Sequence, residues 1–195
     1  MTVTRVINTV FSSCSYVIEH DDRTWLVDCG DVDQILPCIH GHLEGVMLTH
    51  AHFDHIYGLN ILLTLYPDVK VYTNQAGNDG LFSDKLNFSR YYEESFVFGF
   101  PQNVSLVDDG QVLPLSGSLE AKALFTPGHG PDCVTWVMDD AVFSGDSYIP
   151  GVKTVTNLPL SDKTLAAQSE SLIRELALKR TLYPGHSKND NNYFV

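Results

Sequence analysis

No stretch of this 195-residue sequence has the roughly 20 consecutive apolar residues that a membrane-spanning helix needs. The pattern of a secretion signal is also missing from the first twenty residues. Arg5 is the one Lys or Arg among them, and threonine, serine and asparagine interrupt the apolar positions. We therefore expect a cytoplasmic protein with no membrane partner.

Cysteine and positive charge are both scarce. The four cysteines show no C-x-x-C spacing, so we expect reduced thiols. Twelve Lys and Arg stand against 24 Asp and Glu, which gives a net charge of −12, and such a surface repels phosphate backbones. We expect a small-molecule substrate and no nucleic-acid partner, and the sequence leaves the oligomeric state unknown.

The length and the 44% hydrophobic content fit a single α/β domain over residues 1–195. Short runs rich in Val, Ile and aromatic residues predict strands, among them residues 46–49. Apolar residues at helical spacing predict helices over residues 54–66 and 165–178. Because strands and helices occur in two successive blocks, we expect two sheets packed together with helices outside.

Residues 74–119 show the least regular pattern and are predicted to form an irregular insertion or a lid. Within them, residues 81–100 contain seven aromatic side chains: Phe82, Phe88, Tyr91, Tyr92, Phe96, Phe98 and Phe100. One hypothesis is that this segment covers an apolar substrate pocket and offers Arg90 to an anionic group. The alternative is a loop that its aromatic residues anchor to the core.

The residues with the clearest chemical potential form the pattern H-x-H-x-D-H directly after the predicted strand 46–49. Residues two apart in an extended segment point the same way, so His50 and His52 can converge on one metal ion. Asp54 and His55 begin the next helix and can serve a second ion. Imidazole and carboxylate groups are ligands for zinc and similar metals.

Three more candidate ligands follow the ends of later predicted strands. His129 and His186 each follow a Pro-Gly pair, and Asp146 follows Gly145. Loops of this kind concentrate binding residues, although each of these residues alone would be unremarkable. Together with the H-x-H-x-D-H pattern they predict a metal or catalytic site.

In order along the chain, these motifs resemble those of the metallo-β-lactamase superfamily. The resemblance implies an αββα sandwich of the metallo-β-lactamase type, with the site at one edge between the sheets. It implies one metal held by His50, His52 and His129. It implies a second metal held by Asp54, His55 and His186, with Asp146 bridging the two. The expected metals are two Zn²⁺, with iron or manganese as alternatives.

Asp28, in Leu-Val-Asp-Cys-Gly, matches the family's first motif, where the carboxylate supports the metal ligands, and the alternative is an aspartate that closes a strand. After His129 the chain reads Gly130-Pro131-Asp132-Cys133, which departs from the Ser or Thr followed by Gly-Ser that the family often has. This departure leaves the hydrogen bonding around His129 open.

Two such metals predict hydrolysis of a small thioester, lactone or ester by a metal-bound hydroxide. Asp54 is the predicted catalytic residue, orienting the hydroxide and taking its proton, and Tyr148 is a candidate proton donor or packing residue.

The motifs are most similar to those of small members near the type II glyoxalases, whose extra helical domain after the last histidine binds glutathione. Nine residues follow His186 here, so a glutathione thioester is not assumed. The alternatives are a mononuclear iron dioxygenase of the persulfide dioxygenase type and a non-catalytic scaffold of the same fold.

Overall fold

The computed structural model describes residues 1–187 as two β-sheets packed face to face. The first sheet contains six strands: β1 (Thr2–Ile7), β2 (Cys14–His20), β3 (Arg23–Val27), β4 (His42–Met47), β5 (Lys70–Thr73) and β6 (Val104–Leu106). The second contains five strands: β7 (Val112–Ser116), β8 (Leu119–Phe125), β9 (Val134–Met138), β10 (Ala141–Gly145) and β11 (Thr181–Pro184).

Both sheets are mixed. In the first, the order is β1-β2-β3-β4-β5-β6; β1 to β3 pair antiparallel, and β3 to β6 pair parallel. In the second, the order is β11-β10-β9-β8-β7, with β10 and β11 parallel and the rest antiparallel. Strands β4, β8, β10 and β11 therefore run toward loops that carry the candidate ligands.

Five α-helices accompany the sheets within residues 1–187. They are α1 (Val32–Ile35), α2 (Phe53–Ile56), α3 (Leu59–Leu65), α4 (Gln75–Leu81) and α5 (Lys163–Ala177). One apolar cluster joins the first sheet to α1 and α3 and includes Leu26, Val46 and Leu62. On the far side, Val142 of β10 packs against Ile173 of α5.

The core between the two sheets is made of alternating inward-facing side chains. Tyr16, Trp25 and Met47 of the first sheet pack there with Trp136 and Phe143 of the second, and all five are at most 5% exposed. With helices on both outer faces, the layers run helix, sheet, sheet, helix. The predicted αββα sandwich is confirmed.

The helix predicted over residues 54–66 is divided at Tyr57 and Gly58. The carbonyl of His55 accepts from the N–H of Cys29 at 2.8 Å, and the N–H of Gly58 donates to the Cys29 carbonyl at 3.0 Å. These groups would otherwise continue the helix. A Cβ on Gly58 would lie 2.0 Å from the Gly30 carbonyl, so glycine is required where the two segments touch.

Residues 74–119 are more regular than the sequence predicts. They contain α4, β6 and β7, and irregular structure dominates between residues 82 and 100. Short strands at a sheet edge, such as the three-residue β6, carry too little periodicity to be seen in a sequence. The interpretation as an irregular insertion therefore applies to part of this segment.

Two further expectations from the sequence concern membrane-spanning helices and the cysteines. Among residues 1–187, none of the helices has the length and apolar character needed to cross a bilayer. Cys14, Cys29, Cys38 and Cys133 are free thiols, as the sequence predicts for reduced cysteines.

Candidate metal centre

All seven predicted ligands lie together at one edge of the sandwich. Short loops after β4, β8, β10 and β11 carry five of them to this edge, and α2 carries the other two, Asp54 and His55. Their ligand atoms form three overlapping groups, and within each group the atoms lie within 4.8 Å of one another. The groups are His50, His52 and His129; His50, His55 and Asp146; and Asp54, His55 and His186.

The outer ring nitrogens of three histidines are held by the surrounding protein. Nδ1 of His55 lies 2.9 Å from Asp28, Nδ1 of His129 lies 3.0 Å from the Val155 carbonyl, and Nδ1 of His186 lies 2.9 Å from the Phe11 carbonyl. With Nδ1 occupied by an outward contact in each case, Nε2 is the ring nitrogen that faces the cluster. Metal-binding histidines are commonly fixed in this way.

Asp28 and Thr49 form the support beneath His50 and His55. Asp28 is 1% exposed and accepts hydrogen bonds from the Thr49 N–H and hydroxyl, both at 2.7 Å. Because the hydroxyl donates to Asp28, it is free to accept from Nδ1 of His50 at 3.1 Å. Asp28 closes β3 with a left-handed φ of 59° and also positions two candidate ligands, so both interpretations of this residue apply.

Two buried polar atoms in the cluster have no hydrogen-bond partner within residues 1–187: Nε2 of His50 and Oδ1 of Asp146. Leaving such atoms unsatisfied in a protein interior costs about 1–3 kcal/mol each. One is a lone-pair nitrogen and the other a carboxylate oxygen, and both belong to the predicted ligand set. The donor set therefore fits a bound cation.

The protonation states of the histidines are set by burial and by the neighbouring carboxylates. Burial, and then the nearby histidines, hold the pKa of His50 well below its usual value and lower the pKa of His52 to about 4. Both rings are therefore neutral at pH 7. Burial opposes charge on His55 too, but Asp54 and Asp146 raise its pKa well above normal, so a metal must displace that proton.

The two carboxylates stay ionised. Burial disfavours their charge, but His186 and His55 hold the pKa of Asp146 well below its usual range, and His55 lowers the pKa of Asp54. Asp146 lies 3.2 Å from Nε2 of His186 and 3.7 Å from Nε2 of His129, between the two ends of the cluster. This position suits a carboxylate that contacts two cations.

The loop that carries His129 uses a different set of bonds from the one the family pattern suggests. Asp132 accepts from the N–H of Ala51 at 2.8 Å, which ties this loop to the H-x-H segment. The hydroxyl of Ser161 donates to the His129 carbonyl at 2.6 Å. These two hydrogen bonds therefore hold the loop, although residues 130–133 depart from the family pattern.

A prediction concerns Asp28. The substitution Asp28→Asn removes the negative charge that holds Nδ1–H of His55 and should weaken metal binding by about 10–100-fold. Competition against a chromophoric chelator measures this affinity, with Asp33→Asn, an exposed aspartate in α1, as the matched control. Unchanged affinity in the Asp28 variant would show that the carboxylate only closes the strand.

Two cavities of about 440 and 430 Å³ lie beside the cluster. They share four lining residues: His52, Phe88, Tyr91 and Pro159. The second also contacts Asp54, His129 and Asp146, so we call it the inner cavity, and the first the outer cavity. Residues between Lys85 and Tyr92 thus lie on the same face as the candidate ligands, and the ring of Phe88 is 4.8 Å from that of His52. The aromatic residues Phe82, Phe96, Phe98 and Phe100 anchor the rest of the segment to the core.

Two residues singled out from the sequence have other roles. Arg90 pairs with Asp84 at 2.9 Å and lines neither cavity; the cation in the outer cavity wall is Lys85. Tyr148 lies under α5, with the Arg174 guanidinium 4.5 Å from its ring centre, and also lines neither cavity. The packing interpretation of Tyr148 therefore holds.

Three residues that support the candidate ligands or line a cavity could not be identified from the sequence: Thr49, Asp132 and Lys85. The position of Thr49 immediately before His50 was the one available signal. Asp132 contacts Ala51, and Lys85 lines a cavity with residues that are distant in sequence. Sequence periodicity does not reveal such long-range neighbours.

The sequence matches the family model of the metallo-beta-lactamase superfamily over residues 8–186. It is 31% identical over 144 residues to the probable metallo-hydrolase YqgX of Bacillus subtilis, covering 73% of this chain and 64% of that protein. It is 31% identical over 136 residues to a hydroxyacylglutathione hydrolase of Xylella fastidiosa, covering 67% of this chain and 43% of that protein. The chain thus spans less than two thirds of each of these relatives.

Solved structures with the same fold include the BLEG-1 B3 metallo-beta-lactamase, with a TM-score of 0.83 and 23% identity over 95% of this chain and 92% of that one. TTHA1623 in a di-iron-bound form gives a TM-score of 0.77 and 26% identity, also over 95% of this chain and 92% of that one.

Proposed function

This chain belongs to the metallo-β-lactamase superfamily, and from that premise we propose that it is a dimetal hydrolase of a small thioester, lactone or ester. The observation that carries the proposal is the cluster of seven ligand groups, two of whose buried atoms have no hydrogen-bond partner within residues 1–187. A single zinc site uses three or four protein ligands, so seven groups suit two ions.

The residues divide into two sets around Asp146. His50, His52 and His129 would hold one ion, and Asp54, His55 and His186 the other. Zinc is our default for both, and iron or manganese would suit the same donors. When bound, two such ions lower the pKa of a shared water to about 7 and polarise a substrate carbonyl.

Asp54 is the proposed general base. Its side chain lines the inner cavity, and one carboxylate oxygen lies 3.3 Å from Nε2 of His55 and 3.4 Å from Nε2 of His186. Its lowered pKa keeps it unprotonated at pH 7, so it can accept a proton from attacking water. A new C–O bond forms, the acyl C–S or C–O bond breaks, and the proton passes to the leaving group.

The names of the relatives support hydrolysis as the reaction, and they support no single substrate. One is called a metallo-hydrolase and another a hydroxyacylglutathione hydrolase. The di-iron form of TTHA1623 supports iron as an alternative metal. A mononuclear iron dioxygenase of the persulfide dioxygenase type is the second candidate function. Seven complete ligand groups argue against a non-catalytic scaffold.

A hydrolysis panel on the zinc-loaded protein tests the proposal. The substrates are thioesters, lactones, phosphodiesters and β-lactams, with product formation and oxygen consumption followed together. We expect thioesters, lactones or other carboxylic esters to be cleaved without oxygen uptake. Oxygen uptake by the iron-loaded protein with a persulfide as substrate, lost when zinc replaces iron, would support the dioxygenase instead.

Lys85 is predicted to contact anionic substrates. It is exposed at the edge of the outer cavity, and no carboxylate of residues 1–187 forms an ion pair with it. An exposed ion pair contributes about 0.2–1 kcal/mol, so Lys85→Ala should raise KM for a carboxylate-bearing substrate by up to about fivefold while metal content is retained. Steady-state kinetics compare it with Arg90→Ala, for which no change in KM is expected. A raised KM in Arg90→Ala with an unchanged KM in Lys85→Ala would show that Arg90 contacts the anionic group instead.

A further inference from the structure

Three large apolar residues adopt the left-handed backbone conformation, which is strained for bulky side chains: Phe11 (φ 52°), Phe88 (φ 62°) and Leu160 (φ 69°). The other five non-glycine residues with positive φ among residues 1–187 are Ser or Asp, which tolerate it better. All three strained apolar residues line the two cavities: Phe11 the inner, Leu160 the outer and Phe88 both.

Each of the three is tied to a different candidate metal ligand. The Phe11 carbonyl accepts from Nδ1 of His186, and the Phe88 ring packs edge-on against His52. Leu160 precedes Ser161, whose hydroxyl donates to the carbonyl of His129.

None of the three side chains is fully buried in the protein core. Leu160 is 67% exposed and Phe11 is 44% exposed. Strained backbone conformations cluster at active sites and ligand-binding sites. Their shared placement around the cavities indicates that the apolar side chains are held there for a ligand.

We infer that Phe11, Phe88 and Leu160 determine specificity for a two-armed apolar substrate, an ester or thioester with an alkyl group on each side of the reactive carbonyl. The inference rests on the proposed hydrolase function. The carbonyl lies in the inner cavity near Asp54, one arm stays against Phe11, and the other passes between His52 and Tyr91 to Leu160. Phe88 contacts both arms where the cavities meet.

Two thioester series test the inference on the zinc-loaded protein. One series lengthens the acyl group from acetyl to octanoyl with a fixed ethyl leaving group, and the other lengthens the thiol with a fixed acetyl group. Each methylene buried in an apolar cavity should raise kcat/KM by about fourfold until the cavity is full. A protein without these two subsites would show no chain-length preference.

Glycine substitutions separate the two arms, since glycine accepts the left-handed conformation without strain. We expect Leu160→Gly to reduce the gain in kcat/KM from a longer chain by about tenfold in one of the two series. Phe11→Gly should have the same effect in the other series, and Phe88→Gly should reduce the gain in both. Asp139→Gly is the control, because it relieves a φ of 36° in the β9–β10 turn and lines neither cavity. Loss in the same series for Leu160→Gly and Phe11→Gly, or no loss, would overturn the assignment.

Binding of dibutyl ketone, which cannot be hydrolysed, separates this inference from the proposed function. Calorimetry should detect binding that weakens about tenfold in Leu160→Gly and in Phe11→Gly and is unchanged in Asp139→Gly. Such binding without hydrolysis of either series would leave the cavity assignment standing and reject the hydrolase. Hydrolysis of acetyl thioesters with no ketone binding and no chain-length preference would reject the cavity assignment alone.

Discussion

Asp54→Ala is expected to lower kcat by about 10²–10⁴-fold, the range associated with loss of a positioned general base. The side chain lines the inner cavity and remains ionised because of His55, so its removal takes away the proposed proton acceptor. Steady-state kinetics on the best substrate of the hydrolysis panel, with metal content measured in parallel, provide the test.

Asp54→Asn separates the two roles of this residue, because it keeps the shape and removes the basicity. We expect a similar fall in kcat with better retention of metal than in Asp54→Ala. Asp33→Ala is the matched control: this exposed aspartate of α1 lines neither cavity and lies outside the cluster. A kcat for Asp54→Asn equal to that of the unmodified protein would remove the general-base role.

Asp146→Ala is expected to abolish cooperative binding of the two metals. The carboxylate lies between His129 and His186, and its charge offsets the repulsion between two close cations. The loss of affinity should exceed the roughly 10–100-fold that follows removal of an outer partner such as Asp28. Titration of the metal-free protein with zinc, followed by calorimetry, measures both steps.

Asp140→Ala, in the exposed turn between β9 and β10, controls for the general effect of removing an acidic residue. It should bind two metals as the unmodified protein does. If Asp146→Ala also bound two with unchanged affinity, the bridging role would be wrong.

The positions of the candidate ligands could be predicted because each follows a strong local signal. A short apolar strand precedes His50, and glycine precedes His129, Asp146 and His186 in turn. Parallel placement of β8, β10 and β11 then brings those loops to one edge. Local pattern and sheet topology together account for the cluster.

The walls of the site could not be predicted in the same way. Whether Lys85 or Arg90 contacts the cavity depends on the pairing of Arg90 with Asp84 and on how residues 82–100 pack. The left-handed conformations of Phe88 and Leu160 contradict their local preferences and arise from tertiary contacts. The break at Gly58 likewise depends on Cys29, far away in sequence.

We propose that this chain holds two metal ions, one on each side of Asp146. Elemental analysis of the zinc-saturated, dialysed protein, combined with anomalous diffraction from its crystals, tests it most directly. We expect two ions per chain, one bound by His50, His52 and His129 and the other by Asp54, His55 and His186. At most one ion per chain after saturation would contradict it.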